Sequence, residues 1–88
     1  MDVRRVIGEN VRRFRLAADL SQEAVAERMG VDRAYVSALE QGTRNPTVIT
    51  LDRVAEALGV KPAWLLDDEP AAAVAVPTKR KRAPKRIG

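Results

Sequence analysis

The sequence predicts an all-α domain, and three observations carry that expectation. Apolar residues recur every three or four positions between residues 3 and 66, the period of amphipathic helices. Ser21, Asp32 and Thr47 stand where caps are needed, and Gly30, Gly42 and Gly59 stand where helices must stop. Nothing alternates with a period of two, so no strand is expected.

The first helix runs from residue 3 to about residue 18. Val3, Ile7, Val11 and Phe14 form its apolar stripe, and Arg4, Arg5, Arg12 and Arg13 fall between them. Ser21 opens the second helix, because its hydroxyl can accept from first-turn amides. An inward stripe of Val25, Ala26 and Met29 follows, and Gly30 supplies the left-handed stop. Only Val31 separates that stop from Asp32, the cap of a third helix over about residues 32–41. A connection that short forces the two helices to cross steeply. After the turn "TRNPT", Thr47 caps a fourth helix carrying Val48, Leu51, Val54, Ala55 and Leu58. Pro62 then starts a last short helix with Trp64, Leu65 and Leu66 behind it.

Composition removes most catalytic chemistry. The 88 residues include no cysteine and no histidine, so disulfides, thiolate or imidazole metal sites and the commonest general base are excluded. Asp67, Asp68 and Glu69 are adjacent in a polar stretch and are expected to be a solvated helix end. No enzyme activity, metal or cofactor is expected. The longest apolar run, residues 71–76, is far shorter than the roughly 20 residues that span a bilayer. No charged-then-apolar-then-small leader opens the chain. A soluble, cytoplasmic protein with no membrane partner is therefore expected.

Charge divides the chain in two. Residues 1–69 hold ten basic and twelve acidic side chains, a balance of −2, whereas residues 70–88 hold six basic side chains and no acidic one. The expected organisation is a folded domain over residues 1–68 followed by a flexible Pro/Ala-rich linker and polybasic tail over residues 69–88. With three prolines and almost nothing to fill a core, that tail is expected to be disordered. Lys79, Arg80, Lys81, Arg82, Lys85 and Arg86 suit non-specific attraction to nucleic acid or to an acidic surface.

The third helix has two opposed faces. At about 100° per residue from Arg33, the residues Ala34, Ser37, Ala38 and Gln41 fall within about 140° of it, while Tyr35, Val36 and Leu39 fall between about 200° and 300°. One face is apolar and bulky. The other is one arginine among small residues, and a helix of that shape can lie close in a DNA major groove, roughly 12 Å wide.

These residues also carry a family likeness. "LSQEAVAERMGVDRAYVSALEQGTRNPTVITLDRVAEALGV" resembles the helix-turn-helix domain of lambdoid phage repressors, Xre-type bacterial regulators and the controller proteins of restriction-modification systems. The likeness covers about residues 4–66. It rests on "SQ" at the second helix, Val25-Ala26, Gly30-Val31, the "YVSALEQG" run, Asn45-Pro46 and the final "LGV". It implies a compact five-helix, lambda repressor-like fold and a sequence-specific double-stranded DNA-binding regulator of repressor or autoregulatory controller type.

The resemblance also implies residue roles. Arg33 matches a base-reading position, where a guanidinium can donate two bonds to guanine O6 and N7. Ala34, Ser37 and Ala38 match the other groove-facing positions. Gln22 matches a glutamine that bonds a phosphate with help from the helix dipole. Tyr35, either packed at the rim or on the backbone, joins Gln41, Thr43, Arg44 and Asn45 as phosphate contacts. Arg15 and Glu40 match a partly buried structural ion pair. Trp64, Leu65 and Leu66 match a two-fold interface, which implies a homodimer on a pseudo-palindromic operator. No small-molecule effector is implied. The same fold serving as a protein-interaction module, such as an antitoxin or adaptor, is the alternative.

Overall fold

Four of the five helices begin at a residue able to cap them. α1 (Val3–Ala17), α2 (Gln22–Met29), α3 (Arg33–Glu40), α4 (Val48–Leu58) and α5 (Pro62–Leu65) follow in order, with no strand among the described residues. The computed structural model describes residues 2–68. The linker and the tail cations Lys79, Arg80, Lys81, Arg82, Lys85 and Arg86 lie outside the described residues.

Asp2 caps α1 by accepting from the Arg4 amide, Ser21 caps α2 through the Ala24 amide, and Thr47 caps α4 through the Thr50 amide. Each satisfies a donor that the helix cannot satisfy itself. Side-chain hydrogen bonds from Arg4, and then its amide, hold the Asp2 carboxyl below its usual pKa. The cap is therefore present above the ordinary Asp range and is lost only as pH falls through the lowered value. Asp32 departs from the expectation. It occupies the N-cap position of α3, but its side chain makes no capping bond. The Tyr35 amide donates instead to the Asp32 carbonyl at 3.0 Å, which removes the need for a side-chain acceptor.

The C-terminal stops share one geometry. Gly30, Gly42 and Gly59 all adopt φ between 73° and 78°. The next amide then reaches back to close the helix: Val31 to the Ala26 carbonyl, Thr43 to Ala38 and Val60 to Ala55, at 3.0 to 3.1 Å. Val31 and Val60 thereby fold onto the apolar cluster.

That cluster is built from every helix. Val11 and Phe14 of α1, Val25 of α2, Val36 and Leu39 of α3, Val54 of α4 and Leu65 of α5 are the largest fully buried side chains. Val3, expected on the α1 stripe, is half exposed, and Val6 is buried. Leu65, expected at a two-fold interface, has no exposed surface. Its side chain completes the core of its own chain and has nothing to offer a partner. Trp64 is partly buried against the core, its ring 6.1 Å from that of Phe14. Leu66, at the α5 end, is 48% exposed.

Two residues in α1 set how the other helices dock. A Cβ on Gly8 would sit 2.5 Å from the Leu39 carbonyl oxygen and 2.6 Å from that of Glu40. Helix α3 therefore touches the α1 backbone itself, and only glycine leaves room. Asn10 is buried, and its amide nitrogen donates toward the carbonyls of Leu65 at 2.9 Å and Asp67 at 2.7 Å. The Leu65 carbonyl closes the last turn of α5 and the Asp67 carbonyl follows just beyond it, so Asn10 ties the last helix to the first. No described helix is long and apolar enough to cross a membrane.

Replacing Gly8 with alanine forces α1 and α3 apart, since both atoms it meets are backbone. We expect a loss of about 1–3 kcal/mol, the usual cost of overpacking, despite the better helix propensity of alanine. Urea unfolding of the two proteins measures it, and unchanged or greater stability would contradict the close approach.

Candidate nucleic-acid interface

Helix α3 is backed by the core and open on the opposite side. Val36 and Leu39 are buried, Arg33 and Ala34 are exposed, and Ser37 and Ala38 are partly covered. The expected division of faces therefore holds for the helix. Gln41, exposed just after its last turn, donates to the Ser37 hydroxyl at 3.2 Å. Within α3 only the small side chains of Ala34, Ser37 and Ala38 accompany Arg33 on this face, so the helix backbone can come close to a grooved surface.

The attitude of α3 is set by a buried ion pair. Arg15 donates from Nε to Glu40 Oε2 at 2.5 Å and from Nη2 to Glu40 Oε1 at 3.1 Å. Its third nitrogen, Nη1, donates to the Leu20 carbonyl at 2.9 Å. The two side chains are only 10% and 4% exposed. Two parallel bonds to one carboxylate fix both the distance and the relative rotation of the groups. α1, the turn before α2 and the end of α3 are thus joined at one guanidinium.

From Glu40 the bonding runs outward. Gln22 Nε2 donates to Glu40 Oε1 at 3.1 Å, and Arg33 Nη1 donates to Gln22 Oε1 at 3.2 Å. Since a carboxylate only accepts, Glu40 forces the amino group of Gln22 inward and its oxygen toward Arg33. Gln22 retains one N–H for a further acceptor. The pairing of Arg15 with Glu40 was expected from the family likeness, but the continuation through Gln22 to Arg33 was not. It joins the buried pair to Arg33, the one cation of α3.

The loop after α3 presents a second group of polar side chains. Arg44 stacks its guanidinium 4.8 Å from the centroid of the Tyr35 ring, and Tyr35 itself packs partly against the core. The Thr43 hydroxyl donates to the Ala38 carbonyl at 3.0 Å, which holds the loop to the end of α3. Arg44 and Asn45 are exposed. Arg33 and Arg44 thus flank the open face, one anchored by an amide and the other by a ring.

Gly8 and Asn10 are the structural residues that the helical patterning did not single out. Both carried a signal. A glycine inside a strong helical period usually marks a close packing contact, and Asn10 falls one position before Val11 on the apolar side, where an unpaired polar group is costly.

A helix-turn-helix family model matches residues 11–65. The chain is 52% identical over 60 residues to an HTH-type transcriptional regulator, y4dJ, of Sinorhizobium fredii, covering 68% of this chain and 78% of that protein. It is 39% identical over 67 residues to the control protein C.BamHI of Bacillus amyloliquefaciens, covering 75% and 83%. Among solved structures, a hypothetical transcription factor from Neisseria superposes with a TM-score of 0.75 at 38% identity, covering 83% of each chain. The restriction-modification controller protein C.AhdI of Aeromonas hydrophila superposes with a TM-score of 0.68 at 37% identity, covering 70% and 90%.

Replacing Glu40 with glutamine leaves Arg15 buried without its counter-charge, and we expect a loss of about 3–5 kcal/mol of stability. Chemical unfolding followed by far-UV circular dichroism checks this. A loss below about 1 kcal/mol, the range of exposed pairs, would mean that water reaches the pair. With its buried-pair geometry, its open α3 face and these relatives, the chain belongs to the helix-turn-helix family and is a DNA-binding transcriptional regulator.

Proposed function

We propose that α3 enters the major groove of a pseudo-palindromic operator and that the protein regulates transcription by occupying or blocking a promoter, its own included. The observation that carries this reading is the small-residue face of α3 with Arg33 held by Gln22. Arg33 donates to guanine O6 and N7, a bidentate contact that no other base accepts equally. Ala34 and Ala38 offer methyl groups to thymine methyls, and the Ser37 hydroxyl reaches a base edge. These are weak readers beside an arginine, so DNA shape supplies part of the preference.

Phosphate contacts set the register. The free N–H of Gln22 at the start of α2, where the helix dipole favours an anion, faces one strand. Tyr35, Gln41, Thr43, Arg44 and Asn45 follow the sugar-phosphate chain beyond α3. Thr43 acts there through its position, since its hydroxyl already serves the Ala38 carbonyl.

The active species on this reading is a homodimer, whose two α3 helices enter successive major-groove faces about 34 Å apart. Val48 and Ile49 at the start of α4 are 78% and 69% exposed, and Leu66 is 48% exposed. A second copy of the chain would remove these side chains from water, with the partly buried Trp64 beside Leu66. The protein works in the cytoplasm, where its DNA lies, and does so without a cofactor or effector.

The tail supplies affinity without sequence preference. The body carries a balance of −2 and attracts DNA poorly as a whole. Lys79, Arg80, Lys81, Arg82, Lys85 and Arg86 release counterions from the phosphates they meet, each contributing about 0.9 to the salt slope.

Two experiments test this reading. Arg33→Ala with Ser37→Ala should leave the fold intact and cost about 1–3 kcal/mol of discrimination at each base pair lost, measured by anisotropy on a selected duplex against a scrambled one. Unchanged discrimination would move the function to another surface. Deleting residues 77–88 should weaken binding to both duplexes alike and flatten the salt dependence. A deletion that altered sequence preference and kept the slope would refute the role given to the tail.

A further inference from the structure

Asp32 is unlike the other caps. Asp2, Ser21 and Thr47 each accept a first-turn amide, whereas the Asp32 carboxylate accepts none, although its backbone has the extended φ of −74° and ψ of 151° of a capping residue. The residue is exposed, and among the described residues its side chain has no hydrogen bond or ion pair. Adjacent Arg33 does not neutralise it, because its guanidinium is turned to Gln22. Asp32 stands between two concavities beside the start of α3, one lined also by Ala34, Tyr35 and Arg44 and the other by Arg33. A bare negative charge thus sits at the leading edge of the helix that meets polyanionic DNA.

Phosphates repel such a group, so its favourable partner in a groove is a donor on a base edge. The major groove offers two amino groups, N6 of adenine and N4 of cytosine. The adenine amino group is flanked by acceptors on both sides, its own N7 and the O4 of the paired thymine. The cytosine amino group has an acceptor on one side only, the O6 of its guanine. A carboxylate therefore meets less repulsion at cytosine. We propose that Asp32 is a specificity-determining residue, its carboxylate accepting from N4 of a cytosine beside the base pair that Arg33 contacts. The inference rests on α3 being the groove-entering helix. Together the two residues form a donor next to an acceptor, a pair that a shift of register would set against the wrong edges.

The test is selection from a randomised duplex pool by the full chain and by its Asp32→Asn, Asp32→Ser and Arg33→Ala variants, with thermal unfolding of each. Arg33→Ala locates the base pair that Arg33 reads. We expect the native chain to select cytosine at a flanking position. Asp32→Asn and Asp32→Ser should each lose about tenfold of preference there, within the usual cost of one mismatched pair. They should retain the other positions, unfold at the native temperature and bind scrambled duplex no more weakly. Identical preferences in native and variant proteins would overturn the inference. A lowered unfolding temperature in Asp32→Asn that Asp32→Ser restores would overturn it in favour of capping. Loss confined to the Arg33 base pair would overturn it in favour of positioning Arg33. A native chain that selects no sequence would overturn the groove assignment of α3 itself, and with it this inference.

Discussion

One guanidinium organises this domain. Arg15 joins α1 to the carboxylate of Glu40 on α3 and to the Leu20 carbonyl in the turn before α2. Taking both charges out of water is costly, and it is tolerated because the geometry satisfies the carboxylate twice and adds a third acceptor for the arginine. An apolar pair in that position would pack α1 against α3 but would leave their relative rotation loosely set. The paired forks define that rotation, and the rotation decides which side of α3 faces outward.

The backbone contacts around the pair make this setting rigid. Gly8 lets α3 rest on the α1 backbone, so the distance across which Arg15 must reach Glu40 is short. Gly42, in its left-handed conformation, turns the chain away after the last turn of α3 and lies against the Arg5 backbone. Asn10 fastens α5 to the other side of α1. α1 is thus a common support: the side that carries Gly8 and Arg15 positions α3, and the side that carries Asn10 closes the core. Orientation of the open face and stability share residues here, because the elements that position Arg33 are the ones that hold the small core together.

The fold was largely legible from local signals. Apolar spacing locates α1 to α4 within a residue or two, helped by capping residue types and glycine stops at α2 to α4, whereas α1 ends without a glycine, Asp19 taking φ of 59° instead. Interactions that depend on two distant segments were less legible. No local pattern states that the Asn10 amide meets the end of α5, more than fifty residues away, or that Glu40 orients Gln22 and thereby Arg33. Asp32 shows the converse: its residue type suits a cap, but the Tyr35 amide had already found a backbone carbonyl. Leu65 shows that an apolar residue in the last short helix is as easily claimed by its own core as by a partner. The outward face of α3 was read correctly from the helical period, whereas the roles of its side chains toward DNA came from the family likeness.

On the proposed reading, in which α3 enters the major groove, specificity comes from few groups held firmly. With mostly small side chains on the α3 face, the orientation of Arg33 matters more than the number of contacts, and Gln22 is what orients it. The most direct measurement is a double-mutant cycle of Gln22→Ala and Arg33→Ala, read as the ratio of affinities for a selected duplex and a scrambled one. If Gln22 holds Arg33 for base contact, the joint change costs less than the two single changes together, by a coupling of about 0.5–3 kcal/mol. Strictly additive losses would mean that the two residues act independently, and would contradict the claim that the buried Arg15–Glu40 pair sets base recognition through Gln22.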